Sequence, residues 1–202
     1  MENTIIYLLG HEGVGKYTIG KELAALTGAK LVDNHSINNP IFSVIHTDGK
    51  NTLPSGVWQR VRQIRAAVLE TIATLSPPEY SFIFTNASTG RPKDIVVYNQ
   101  ILEVATSRSS LFVVVRLACD TEEIAKRIVR EDRKVRHKST DALAAKYRNE
   151  NEQVYNPTHE HVLNLDVSAL APKDAAKAIV SFVDERVDQH SREAKAHFSK
   201  FL

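Results

Sequence analysis

One stretch near the start constrains this chain more than any other. An apolar run, TIIYLLG (4–10), is followed by HEGVGK and then by a helical spacing of Ile19, Leu23 and Leu26. Gly10, Gly15 and Lys16 satisfy G-x-x-x-x-G-K in the strand-then-helix setting that a phosphate-binding loop requires. The glycines let the backbone fold back so that successive N–H groups point inward at phosphate oxygens. The helix that follows presents its positive N-terminal end, and Lys16 adds a full charge near the β- and γ-phosphates. Tyr17 departs from the common pattern, because the residue after the lysine usually supplies a short-chain hydroxyl to Mg²⁺ and a phenol projects too far to replace it. Thr18, one place on, still offers a hydroxyl toward the α-phosphate side.

The rest of the chain fits around that unit. YSFIFTN (80–86) and SLFVVVRL (110–117) read as short, nearly continuous apolar strands, with KLVDN (30–34) and HVLNLDV (161–167) as weaker ones. Such runs suit a sheet buried on both faces. Between them, Val57, Val61, Ile64, Val68, Ile72 and Leu75 recur at helical steps, with Pro54 before and Pro77 and Pro78 after. Helix is also predicted over 16–27, 92–107, 120–131 and 173–187, the last through Ala175, Ala176, Ile179, Val180, Val183 and Val187. Strands separated by helices imply βαβ units and a parallel sheet, an α/β architecture. At 202 residues and 43% hydrophobic the chain is expected to form a single domain over 1–188, with 189–202 as a helical or flexible tail. A net charge of +2 argues against a nucleic-acid or membrane partner, and one cysteine, Cys119, excludes a disulfide framework. No apolar run reaches the roughly 20 residues of a membrane span. A cytoplasmic monomer or homodimer is expected.

GHEGVGKYT resembles the G-x-x-G-x-G-K-x-T loop of adenylate kinase and its nucleotide kinase relatives, where a non-hydroxyl residue commonly follows the lysine. In that family Mg²⁺ is held largely through water and the nucleotide's own phosphates. The resemblance implies ATP and Mg²⁺ as cofactors, with Gly10, His11, Glu12, Gly13, Val14, Gly15, Lys16, Tyr17 and Thr18 forming the nucleotide cradle. It also implies a three-layer α/β/α fold whose five parallel strands run in the order 2-3-1-4-5. Asp33, closing KLVDNH, is similar in position to the aspartate after the second strand of the shikimate and gluconate kinases and chloramphenicol phosphotransferase. There the residue orients magnesium-bound water or takes a proton from the acceptor hydroxyl. Where shikimate kinase carries a second aspartate this chain has His35, whose neutral imidazole can also accept a proton. Asp33 equally suits the N-cap of the segment that follows.

In this superfamily the segment after the second strand covers the acceptor, which here means about 34–65. Arg60, Arg62 and Arg65 lie off the apolar stripe, and Arg62 and Arg65, about one turn apart, are the expected contacts to an anionic acceptor. Arg91, after the third strand, is similar to an arginine that follows this strand in adenylate kinases. KRIVREDRKVRHK (126–138) holds seven basic residues against two acids and buries little, so it cannot be core. It stands where the P-loop kinases carry an arginine-bearing lid, expected here over about 130–142. By that resemblance Arg127 lies near the adenine or its phosphates, and Arg130 or Arg133 on the transferring phosphoryl group. The His159–His161 pair has no third ligand nearby and reads as a strand entrance. The leading expectation is ATP-dependent phosphoryl transfer to a hydroxyl of a small metabolite, with catalytic Lys16, Asp33, Arg130 and Arg133. The alternatives are a nucleoside monophosphate kinase and an ATP-binding regulatory module.

Overall fold

A computed structural model describes residues 1–45, 53–130, 133 and 138–198, apart from the side chains of 188–198. Five strands, β1 (Thr4–Leu9), β2 (Lys30–Asp33), β3 (Phe82–Asn86), β4 (Leu111–Ala118) and β5 (Val162–Asp166), form one parallel sheet in the order β2-β3-β1-β4-β5. The helices are α1 (Lys16–Thr27), α2 (Asn34–Phe42), α3 (Val57–Thr74), α4 (Pro92–Ser107), α5 (Thr121–Ile128), α6 (Ala142–Asn151) and α7 (Pro172–Phe198).

Strand alternation divides the core into two layers. Ile6 and Leu8 of β1 face one side with Val113 and Val115 of β4, under α1, α5 and α7, where Leu23, Ile124 and Ile179 complete the packing. Ile5, Tyr7 and Leu9 face the other side with Phe82, Phe84 and Phe112, under α3 and α4. The central strand is therefore apolar throughout, and the edge strands β2 and β5 are partly exposed. A smaller cluster of Ile37, Phe42, Val57 and Val61 joins α2 to α3 away from the sheet.

The elements can be compared with the sequence reading one by one. Residues 142–151 form a helix that the apolar spacing does not announce, because it buries only Ala145; Asp141 starts it by accepting from the Ala144 N–H at 2.9 Å. The helix predicted over 120–131 is recorded as α5 only to Ile128, its start fixed by Asp120 accepting from the Glu122 and Glu123 N–H groups. Helix α7 runs on to Phe198, through most of the predicted tail; the side-chain positions of Phe198, Phe201 and Leu202 lie outside the described residues. Leu75, assigned to the apolar stripe of α3, is 77% exposed, since it falls at the C-cap beyond the last packed turn. Among the described residues no helix is long and apolar enough to cross a membrane.

Because all five strands run the same way, the loop after β1, Asp33 at the end of β2 and Asn86 at the end of β3 open onto one edge of the sheet. In open α/β sheets that edge, where the strand order reverses, is where ligands bind.

Candidate active site

A cavity of about 770 Å³ lies along this edge. Its end at the loop after β1 is built from backbone. Gly15, at φ 109° in the left-handed region, turns the chain into α1, whose N-terminus has no side-chain cap, so its first N–H groups remain available to an anion. Gly10 is required by close approach: a Cβ there would meet the Leu117 carbonyl oxygen at 2.9 Å and Val14 Cγ1 at 2.8 Å. Lys16 Nζ donates to the Gly10 and His11 carbonyls, both at 2.7 Å, folding its ammonium back across the loop. Burial lowers its pKa to about 8, against a favourable influence from Glu12.

The remaining loop residues divide between cavity and scaffold. Glu12, Gly13, Gly15, Tyr17 and Thr18 line the cavity with Lys16, whereas Gly10, His11 and Val14 brace the loop from behind. His11 is buried and its Nε2–H donates to the Glu152 carbonyl at 2.9 Å; burial keeps its pKa below the ordinary histidine value. Glu12 accepts from Arg148 Nε at 3.1 Å. Burial opposes its charge, but Arg148 and Lys16 outweigh that and hold its carboxyl below the usual range.

Asp33 stands both at the start of α2 and at the cavity. It caps α2, with Oδ2 accepting from the His35 N–H at 3.3 Å, and it also lines the cavity. Thr85, its neighbour across the β2–β3 register, donates its hydroxyl to Asp33 Oδ1 at 2.6 Å. Lys138 Nζ stands 3.4 Å from Asp33 Oδ2 and 4.6 Å from the centre of the Tyr17 ring. Tyr17 thus seats a cation from the lid segment on its ring face, with Lys21 also at 5.2 Å. Asn86 lines the cavity beside Thr85 and is fastened from behind, donating from Nδ2 to the buried Tyr7 hydroxyl at 3.2 Å. His35 is held neutral, with its pKa pulled down to about 4 by burial and by the nearby Lys138 charge. Its Nδ1, and Oδ1 of the buried Asn38, have no hydrogen-bond partner among the described residues, and both side chains line the cavity.

At the acceptor end, Arg62 and Arg65 both reach the cavity, and Arg65 is set by donating to Asn34 Oδ1 at 3.0 Å. Arg60 points elsewhere, bonding Gln63 at 3.1 Å. Arg91 is not brought to this cavity, which corrects its assignment as a substrate contact. It pairs with Glu152 at 2.6 Å beside an adjoining pocket of about 100 Å³ that shares Glu12, Ala87, Lys93 and Asp94 with the main cavity, because the turn before Pro92 directs it toward the segment after α6. Arg127, Arg130 and Arg133 all line the main cavity. Arg127 is engaged as a brace, bonding Glu123 at 2.8 Å and the carbonyls of Val14, Val167 and Ser168 at 3.1–3.2 Å. Arg133 ties down its own segment by donating twice to the Ser139 carbonyl, at 3.1 and 2.9 Å. Lys134, also basic in this segment, lies outside the described residues. His159 and His161 pack rather than gather around a metal: His159 accepts from the His161 N–H at 3.1 Å and meets Phe112 edge-on.

Sequence reasoning passed over Thr85, Asn86, Trp58, Asp94, Lys138 and Arg148 as site residues. Thr85 and Asn86 were findable by the rule that selected Asp33, polar residues ending an apolar strand. Trp58 is a large apolar residue one place off the α3 stripe, and Asp94 falls in the first turn after Pro92. Lys138 and Arg148 carry no comparable signal, since their partners Asp33 and Glu12 are over 100 positions away.

Strand order, the glycine-built loop after β1 and an aspartate closing β2 together give this chain the fold of the P-loop small-molecule kinases of the shikimate and gluconate kinase type. Among solved structures it is similar to a gluconokinase from Sinorhizobium meliloti (TM-score 0.60, 14% identity, covering 95% of this chain and 97% of that one). It is also similar to a sugar kinase from Janibacter sp. (TM-score 0.58, 17% identity, 90% and 95%). A shikimate kinase from Acinetobacter baumannii, in complex with shikimate, aligns at TM-score 0.51 and 20% identity over 91% of this chain and 94% of that one. No protein-family model matches the chain, and no curated protein matches it in sequence.

Proposed function

We propose that this protein transfers the γ-phosphoryl group of ATP to a hydroxyl of a small molecule. The observation that carries the reading is the position of Asp33: it lies in one cavity between Lys16 with the uncapped start of α1 on one side and Arg62 with Arg65 on the other.

The residues suit the division of labour that phosphoryl transfer demands. The N–H groups at the start of α1 and the Lys16 ammonium hold the nucleotide's β- and γ-phosphates, the ammonium leaving the Gly10 and His11 carbonyls to do so. Asp33 accepts the proton of the acceptor hydroxyl as its oxygen bonds to the γ-phosphorus. The bond from that phosphorus to the β–γ bridging oxygen breaks, and ADP departs with the electron pair. Arg130 and Arg133, on the lid side, stabilise charge on the transferring group. His35, kept neutral, can donate its ring N–H to the hydroxyl oxygen and so leave the hydroxyl proton to Asp33.

Magnesium would supply charge neutralisation between the phosphates. The donor set suits it: Asp33 presents an anionic oxygen to the cavity, the hard ligand a magnesium shell takes. Asp33 would hold it through water, with Lys138 giving up its place beside the carboxylate. The arrangement favours an alcohol acceptor over a nucleoside monophosphate, because a phosphate acceptor needs no base and Arg91, expected to serve that reading, stands outside the cavity.

An ATP-consumption screen against hydroxy acids, sugar acids, nucleosides and nucleoside monophosphates tests the proposal, with Lys16→Ala as background. At least one hydroxyl acceptor is expected to stimulate turnover well above that background. If ATP binds and nothing does, the kinase reading fails.

A further inference from the structure

The acceptor end of the cavity is polar at its inner part and apolar at its mouth. His35 Nδ1 and Asn38 Oδ1, the atoms without partners among the described residues, sit on α2 immediately after Asp33. A buried polar atom left unpaired calls for a partner from a ligand. Farther out the character changes. Trp58, the chain's only tryptophan, lines the cavity yet is 51% exposed, meeting Phe42 edge to face at 5.8 Å. Val96 of α4, also lining the cavity, is 53% exposed, with Val97 beside it.

Among the described residues neither side chain is part of a buried core cluster. The cluster between α2 and α3 is made by Ile37, Phe42, Val57 and Val61 without Trp58, and the core under α4 by Tyr98, Ile101 and Val104 without Val96. Trp58 and Arg62 are four residues apart on α3, so indole and guanidinium share one helix face. A ligand lying along that face meets an apolar wall first and a cation next.

A polyol acid presents hydroxyls along its whole length. Those lying against Trp58, Val96 and Val97 would lose water to apolar carbon, with only Lys93, Asp94 and Gln100, about a turn away on α4, to replace it, whereas an apolar ring or branched chain would be covered favourably. We propose that the acceptor is an amphiphilic hydroxy acid. Its hydroxyl is directed to Asp33, beside the His35–Asn38 edge, its anionic group to Arg62 and Arg65, and its aromatic or branched aliphatic part lies between Trp58 and Val96. The inference rests on the phosphoryl-transfer reading for the reaction, but its binding test does not.

Trp58 makes that test direct, as the single source of tryptophan emission. In the presence of Mg²⁺ and ADP, a panel of aryl and branched-alkyl hydroxy acids, phenyllactate among them, is titrated against gluconate and shikimate. The expected result is an emission shift from at least one amphiphilic acid, with a Kd at least about tenfold below either polyol acid. Val96→Asp, at a half-exposed position, is expected to raise that Kd about tenfold at an unchanged melting temperature. Gluconate or shikimate binding as tightly, or no panel member moving the emission, overturns the proposal. If an amphiphilic acid binds but ATP turnover stays at the Lys16→Ala background, the acceptor class stands and the transfer reading falls.

Discussion

The two ends of the cavity are made differently. The nucleotide end is set by backbone: Gly10 and Gly15 are fixed by close approach and a left-handed φ, and Lys16, Glu12 and Arg127 are each tied to the loop or its supports. The acceptor end is made by side chains standing off helices, with Trp58 and Arg62 exposed and Arg65 held through Asn34. A phosphate group is recognised by a spacing of glycines, a lysine and a helix start, which many sequences share; a particular acceptor is recognised by individual side chains, which few share. Asp33 and Lys138 sit at the seam between the two ends.

Substitutions at the two ends should therefore behave differently. The largest effect is expected at Lys16. Lys16→Ala removes the ammonium that the proposed mechanism turns from the loop carbonyls to the phosphates, and should lower turnover by about a hundred- to a thousandfold. Steady-state ATP consumption checks it, with circular dichroism expected to show the fold intact.

Lys138→Met sharpens the account of the seam. It leaves the buried Asp33 carboxylate without its cation, a loss on the order of 3 kcal/mol when one partner of a buried pair is removed. Thermal denaturation should show a lower melting temperature. Mg²⁺ with ATP should recover more stability in the variant than in the wild type, because no ammonium then competes for the place beside Asp33. Equal recovery would mean that Lys138 does not stand in that place.

A smaller and purely thermodynamic signature belongs to the nucleotide end. Burial sets the folded pKa of Lys16 at about 8, below its ordinary 10.5, so between those values the unfolded chain binds the extra proton and stability from this group rises with pH. Nucleotide phosphates favour the charged form and reverse the shift. ATP binding at about pH 8.5 should therefore be accompanied by proton uptake that fades toward pH 6. Calorimetry in buffers of different ionisation enthalpy measures it. The smallest effect is expected at Arg91, outside the cavity and in a half-exposed pair with Glu152 worth about 0–1 kcal/mol. Arg91→Ala should change kcat and KM by less than about twofold.

What could be read from the sequence follows the same division. The five strands and the loop after β1 were legible because their signals are local: apolar runs, glycine spacing, and a polar residue closing a strand. Helix α6 was not, since it buries one alanine and has no stripe to reveal it. Tyr17 stood out in sequence as a missing magnesium ligand, but its structural use as a seat for Lys138 depends on a residue over 120 positions away. Arg62 and Arg65 could be singled out by their place off an apolar stripe, whereas the exclusion of Arg91 required the path of the turn before α4.

The central claim is that Asp33 is the point where phosphoryl transfer occurs, and an aspartate-to-asparagine change separates that role from its service as a helix cap, which an amide can share. The decisive measurement follows the label of γ-³²P-ATP into an acceptor in wild-type and Asp33→Asn protein, with nucleotide affinity measured in both. The account predicts nucleotide binding within a few-fold of wild type and label transfer at least about a hundredfold slower. Equal transfer rates in the two proteins would contradict it.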